Sequence, residues 1–459
     1  MVELSQSYSE KLATWVKSLT FKDIPNKVIE NIKLRFLDTI GICLASSTMS
    51  FAKIVVDVVK SWDGKEESSL IGFRGKLPMV NAALVNGLMA HALDFDDTHT
   101  EAVVHPSAIV IPTTLAVGEK ECVDGESALV AAAAGYEIVI RLGMVAPFQF
   151  HKRGLHATPI VGTFAASLIA GKILDLDVEQ MVNAMGICGS MAAGLQEFVT
   201  DGTEVKQLHP GWANHCGIVA AQMASKGFTG PRTVLEGRFG IYRSYLGNGY
   251  NLERLCEDLG KNWEVLKTTF KFYPCCHILH SYMDCILHLR KEYGIEAEKV
   301  DEIQCFISKD AAKLVCEGKE IPLTPYHAKF SLPYTVALML LKGECGIEDF
   351  SDEAIKNREI LKLAKKVKWE EDPNSEFPKR FPGWVKIRMN DGNVYEHRVL
   401  NVRSSPENPL KYEDLMEKFY KNACRVLPPH HAKNIIELIE SFERLNNLED
   451  LMKKVSSIE

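Results

Sequence analysis

Ser127-Ala128-Leu129-Val130-Ala131-Ala132-Ala133-Ala134 is an uncharged run ending in four consecutive alanines. Alanine is the strongest helix former and has almost no side chain to keep neighbours apart. The run therefore reads as a helix packed on several sides, inside a large helical core. Working outward, Gly162–Ile173 and Met181–Leu195 have the same Ala/Gly-rich, apolar character. Ile29, Ile32, Phe36 and Ile40 recur every three or four residues, as do Ala83, Asn86, Met89 and Ala90, which predicts two further helices with apolar faces. No G-x-G-x-x-G follows a strand, so a dinucleotide-binding sheet has no support. Residues 1–265 thus read as one all-helical domain.

Near residue 266 the character changes. Val300–Ile307 has strand composition, and Trp384–Met389 and Val394–His397 flank Asn390-Asp391-Gly392-Asn393, a strong hairpin signal. Helices are expected between them near 278–292 and 328–342. A smaller α+β domain over 266–400 follows. Residues 401–459, amphipathic from Tyr412 to Ser457, are expected to pack back on the helical domain. The predicted class is mostly α, a helical domain built from both ends of the chain plus an α+β lid.

At 459 residues the chain is long enough for two or three domains, and 46% hydrophobic and 25% charged residues are ordinary for a globular protein. With 53 Lys+Arg against 60 Asp+Glu the net charge is −7, which argues against a nucleic-acid partner. No signal peptide is read at Met1–Gln6, and the longest uncharged stretches, broken by Pro106, Pro112 and Pro159, do not read as membrane spans. The 12 cysteines contain no C-x-x-C pair, and the adjacent Cys275-Cys276 is poorly placed for a relaxed disulfide. Reduced thiols and a cytoplasmic location are expected.

Chemistry-bearing residues fall in five stretches. In His91-Ala92-Leu93-Asp94-Phe95-Asp96-Asp97-Thr98-His99, continued by His105-Pro106-Ser107, three aspartates follow an apolar helix, which is costly unless they are paired or used. If the helix continues, His91, Asp94 and Thr98 share one face. The others are Leu155-His156-Ala157-Thr158, the 205–231 segment opening Val205-Lys206-Gln207-Leu208-His209-Pro210-Gly211, Lys271-Phe272-Tyr273-Pro274-Cys275-Cys276-His277, and Ala328-Lys329-Phe330-Ser331-Leu332-Pro333-Tyr334. Each alone has a plainer reading: a solvated helix end, a capping histidine, an exposed Lys271, a core Tyr334. A metal site lacks any H-E-x-x-H or closed ligand set, and the dispersed cysteines offer no iron–sulfur cluster.

In this order and wording, HALDFDDTH, HPS, LHAT, VKQLHPGWANHCGIVAAQMASKGFTGP, KFYPCCHILH and AKFSLPYTVA resemble the MmgE/PrpD family of 2-methylcitrate dehydratases, cis-aconitate decarboxylases and iminodisuccinate epimerases. The resemblance implies a homodimer with a cofactor-free, metal-free site between the helical domain and the lid, acting on a small di- or tricarboxylate. It maps His105, Asp94, His156 and Tyr334 onto catalytic positions, and Thr98, Lys206, Lys271 and Cys276 onto substrate-binding ones. Two lysines would anchor carboxylates. His105 is expected as the principal acid/base, with Asp94 orienting or assisting it and Thr98 hydrogen-bonding a carboxylate. Which group takes and which gives the proton stays open. Five residues after Lys271, where vertebrate decarboxylases carry histidine, stands Cys276 with His277 beside it. The expected activity is a lyase dehydrating a 2-methylcitrate-like hydroxy-tricarboxylate; the alternatives are a cis-aconitate-type decarboxylase, an iminodisuccinate-type epimerase, and a non-enzymatic helical binding protein.

Overall fold

The computed structural model describes residues 6–409 and 411–456; Met1–Ser5 and Ser457 of the readings above lie outside them. Helix is 57% of the structure, in 20 α-helices, so the mostly-α expectation holds. The alanine run lies in Gly125–Met144, which packs on Ala157–Ile173 and is buried from Ala128 to Met144. That helix has the length and apolarity of a membrane span, but 94% of its apolar window is buried inside the protein.

Asn26–Ser46, Met79–Ala92, Ser107–Lys120, Ala157–Ile173 and Val205–Ser225 complete the centre of this core. Met79–Ala92 and Val205–Ser225 cross closely at two glycines. A Cβ on Gly87 would lie 2.9 Å from Cα of Gly211, and one on Gly211 would lie 2.2 Å from the carbonyl oxygen of Leu84. Only glycine permits this approach, and it brings the C-terminal end of one helix beside the N-terminal end of the other. Phe419, Ile435 and Leu451 from the chain's last helices join the same core.

A second core gathers residues from Tyr273 to Ile387. Its sheet has the order Val367–Glu371, Val300–Ile307, Gly383–Met389, Val394–Val399; the first pair is parallel and the other two antiparallel. Alternation along Val300–Ile307 and Gly383–Met389 turns Ile303, Cys305, Val385 and Ile387 inward. His280–Tyr293 and Leu332–Lys342 pack against strands of this sheet and against each other. The hairpin turns at Gly392 with φ of 90°, as its Asp-Gly pair requires.

Two helix expectations are corrected. The helix predicted over Met181–Leu195 is Val178–Cys188, because Gly189 ends it and Gly194 takes φ of 151° in the following turn. The helix predicted near 328–342 is two helices, Pro325–Ala328 and Leu332–Lys342. Ser331 caps the second by accepting from the Tyr334 amide, and Pro333 stands in its first turn.

Candidate active site

Met79–Ala92 ends before the aspartates, so His91, Asp94 and Thr98 do not share a helical face. Asp94 has φ of 52°, a left-handed turn that aspartate tolerates better than most side chains, and Thr98-His99 pair with Thr268-Thr269 as a short antiparallel bridge between the two cores. Three buried cations hold this turn. Lys329 Nζ donates to the Leu93 carbonyl (2.9 Å) and to that of Pro274 (2.7 Å). Lys418 Nζ donates to the Phe95 carbonyl (2.9 Å) and pairs with Asp38 (2.7 Å). Arg35 pairs with Asp97 (3.1 Å) and donates to the Thr268 carbonyl (2.5 Å). A strained conformation persists only when its surroundings over-determine it, and these contacts do so.

The three aspartates divide the work. Asp94 Oδ1 accepts from Lys271 Nζ (2.7 Å) and Lys206 Nζ (3.0 Å). Burial alone would raise its pKa, but Lys206 and Lys271 outweigh burial and hold it well below the ordinary carboxylate range. Asp96 Oδ2 accepts from His91 Nδ1 (2.7 Å) and lies 3.9 Å from His105 Nδ1. Asp97 accepts from the amide (3.1 Å) and hydroxyl (2.5 Å) of Ser107, at the start of the Ser107–Lys120 helix. The expectation that Asp94 orients His105 is therefore corrected: Asp94 is taken up by two lysines, and His105 is oriented by its own loop. Its Nδ1 lies 2.8 Å from the Asp97 carbonyl oxygen and 3.3 Å from Thr98 Oγ1. A carbonyl only accepts, so Nδ1 carries the proton and Nε2 has a free lone pair.

Asp94, Thr98, His105, His156, Lys206, Lys271 and Cys276 line one cavity, together with His151, His277, Phe198 and Phe330. Seven of the eight predicted residues thus converge, drawn from both cores. Lys271 is fully buried rather than exposed. Lys206 is the second residue of its helix, where Pro210 lacks the N–H that would bond its carbonyl. The helices beginning at Ser107, Ala157 and Val205 start directly after or at cavity residues, so three positive helix ends add to the two lysines. The cavity suits a polyanion. At about 60 Å³ it is smaller than the roughly 300–1,000 Å³ of a ligand pocket, so a tricarboxylate needs the cavity lining to rearrange. A wider cleft of about 540 Å³ lies elsewhere, against Lys342, Arg425 and Lys418. Those three cations are paired with Asp349, Glu348 and Asp38.

Tyr334 is the exception. Its hydroxyl donates to the Asp349 carbonyl (2.7 Å) within the second core, away from the cavity lining. Tyr326, on Pro325–Ala328, packs with the cavity residues Phe198 and Phe330 without itself lining the cavity; its buried hydroxyl has no partner, and its pKa is pushed well above normal by burial, then by Asp94 and Asp96. Thr324-Pro325, a capping residue followed by proline, marks a helix start immediately before Tyr326 and is the signal that could have found it. His91, quoted in the first stretch, is given no role there; its Asp96 partner lies five residues on and is visible only once the turn is folded.

Burial keeps the cavity imidazoles neutral. It lowers His105 well below its ordinary value despite Asp96, and lowers His156 with help from His209 and Lys206. Burial also pushes the Cys276 thiol up to about 11, so it stays protonated. His91, His105 and His156 bring ring nitrogens within 4.8 Å of one another, the one group of described residues able to hold a metal. A tetrahedral site with bonds of about 2.0 Å needs nitrogens only ~3.3 Å apart, and Lys206 and Lys271 oppose a cation there.

The chain matches the MmgE/PrpD N-terminal domain over residues 10–253 and the MmgE/PrpD C-terminal domain over 273–444. It belongs to the MmgE/PrpD family. The gap between the two MmgE/PrpD matches contains Thr268-Thr269, the strand bridging the cores. Within the family the chain is 26% identical to a cis-aconitate decarboxylase of Aspergillus terreus, over 96% of this chain and 94% of that one. It is 27% identical to the cis-aconitate decarboxylase of Homo sapiens, over 96% and 93%. A 2-methylcitrate dehydratase of Escherichia coli is 22% identical over 82% of each chain.

Proposed function

We propose that this chain is a cis-aconitate-type decarboxylase that uses no metal or organic cofactor. Similarity to cis-aconitate decarboxylases along 96% of the chain carries the reading, in preference to the dehydration that the motifs put first. The geometry supports it in three ways. Lys206 and Lys271 can transfer from Asp94 to substrate carboxylates as the cores close. Phe198 and Phe330 form an apolar wall, and a carboxylate held against it loses its hydration and more readily leaves as CO2. The cavity histidines are neutral, and His156, whose Nε2 is the nitrogen left for the cavity, can deliver the proton that the resulting carbanion takes.

The same groups suit dehydration of a 2-methylcitrate-like substrate, which remains the second reading through the Escherichia coli relative. A cytoplasmic homodimer fits this proposal, and Val205, Leu208 and Trp212 leave an exposed apolar stripe on the outer face of the Lys206 helix for a second copy.

Chelator-treated protein is incubated with cis-aconitate or 2-methylcitrate and the products are read by proton NMR. Itaconate and CO2 from cis-aconitate are expected, with His105→Gln reducing the rate by about 10²–10⁴. A conjugated alkene from 2-methylcitrate, with no reaction of cis-aconitate, would move the assignment to the dehydratase.

A further inference from the structure

His209 lies outside the cavity lining and plays no part in the chemistry above, yet it is coupled to a cavity residue. Its Nδ1 is 3.0 Å from Nδ1 of His156, with ring centroids 5.3 Å apart. Two neutral imidazoles meeting Nδ1 to Nδ1 share a single proton, so one must donate and the other accept. Gly194 packs against the pair, and among the described residues Lys206, on the same helix, is the charged group that acts on His209. With its Nδ1 turned to His209, His156 has only Nε2 to offer the cavity. The proton state of that nitrogen is set by the direction of the shared bond.

His105 resolves the complementary half. The Asp97 carbonyl obliges it to keep its proton on Nδ1, so it presents a basic Nε2. A decarboxylation needs an acid as well, because a tricarboxylate losing CO2 becomes a dicarboxylate only by taking up one proton.

We propose that His209 is a positioning residue that makes His156 the general acid, by donating its Nδ1–H to His156 Nδ1 and so leaving the proton of His156 on Nε2. The inference rests on the decarboxylase reading for its chemistry. In the step, the carbon–carboxylate bond breaks with its electron pair kept on the substrate, and the Nε2–H proton of His156 passes to the carbanion. The Nδ1 proton of His209 moves to His156 Nδ1, and Nε2 of His209 takes a proton from solvent. One solvent proton enters for each CO2 released. After product leaves, water protonates His156 Nε2, the shared proton returns to His209, and His209 Nε2 releases its proton.

Two substitutions separate tautomer control from packing. His209→Asn keeps an N–H donor towards His156 but cannot relay a proton. His209→Asp presents an acceptor and obliges His156 to hold its proton on Nδ1, converting the acid to a base. With cis-aconitate, His209→Asp should lose at least about a hundredfold in kcat with KM within a few-fold of wild type, and His209→Asn should lose clearly less. Long-range 1H–15N spectra of the wild-type imidazoles should show His156 protonated on Nε2, and the reverse in His209→Asp. Equal kcat in both variants, or wild-type His156 protonated on Nδ1, overturns the proposal. Wild-type protein inert towards cis-aconitate instead overturns the substrate reading, while the spectra still decide the tautomer.

Discussion

Asp94→Asn removes the carboxylate that is ion-paired with two buried lysines while keeping the side chain's shape. Asp94 Oδ1 is 2.7 Å from Lys271 Nζ and 3.0 Å from Lys206 Nζ, and all three side chains are at most 5% exposed. Removing one partner of a buried pair leaves an uncompensated charge and costs about 3–5 kcal/mol. At roughly 2.1 cal/mol/K of unfolding entropy per residue, a cooperative unit of this size loses about 1 °C per kcal/mol. The expected fall in Tm is therefore about 3–5 °C by calorimetry. Lys206→Met should cost less, because Asp94 keeps Lys271. The same reasoning makes Asp94→Asn bind a tricarboxylate more tightly than wild type, since its lysines have no protein carboxylate to leave. The sign with pH follows from the depressed carboxyl. Its stabilisation is complete above the unfolded value near 3.8 and is lost as pH falls through the lower folded value. The gap between wild type and variant should hold steady from pH 8 to about 5 and close only in stronger acid. A Tm within 1 °C of wild type together with unchanged tricarboxylate affinity would refute the ion-triad account.

The two tyrosines make a matched pair. Tyr326→Phe deletes an unpartnered buried hydroxyl and should lower kcat without lowering Tm. Tyr334→Phe loses the bond to Asp349, about 1 kcal/mol, and should leave kcat near wild type; the reverse pattern in thermal melts and rates would overturn the assignment. His105 and His156 are held neutral by burial, and His209 is lowered to about 4. Below pH ~6.5 the unfolded chain therefore binds more protons than the folded one, and stability falls with acid. Urea midpoints should drop steadily from pH 6.5 to 4.5, and a flat profile would contradict neutral histidines. Exhaustive chelation should leave turnover unchanged, because the spacing of His91, His105 and His156 and the nearby Lys206 and Lys271 disfavour a bound cation. Loss of activity on chelation, restored by one metal, would reverse that prediction.

Local pattern was enough for much of the architecture. Four alanines in a row announce a crowded helix because nothing larger fits between its neighbours, and Asp391-Gly392 announces a hairpin because its backbone needs positive φ. The six motifs identified seven of the residues around the cavity, since residue type and spacing survive in sequence. What they could not convey is which partner each side chain meets. Asp94, Asp96 and Asp97 are chemically identical and nearly adjacent. One holds Lys206 and Lys271, one holds His91, and one holds Arg35 and Ser107, because the chain turns at Asp94 through a conformation enforced by Lys329, Lys418 and Arg35 from 236, 323 and 62 residues away. Tyr326 lies two residues before the motif that carries Tyr334, and only the folded chain shows one hydroxyl buried without a partner and the other bonded to the Asp349 carbonyl. The tautomer of His105 is likewise a tertiary fact, imposed by a carbonyl eight residues away whose position no periodicity encodes. Composition and spacing determined which groups this protein possesses; the close crossing at Gly87 and Gly211 and the bridge between the two cores decided which of them face each other.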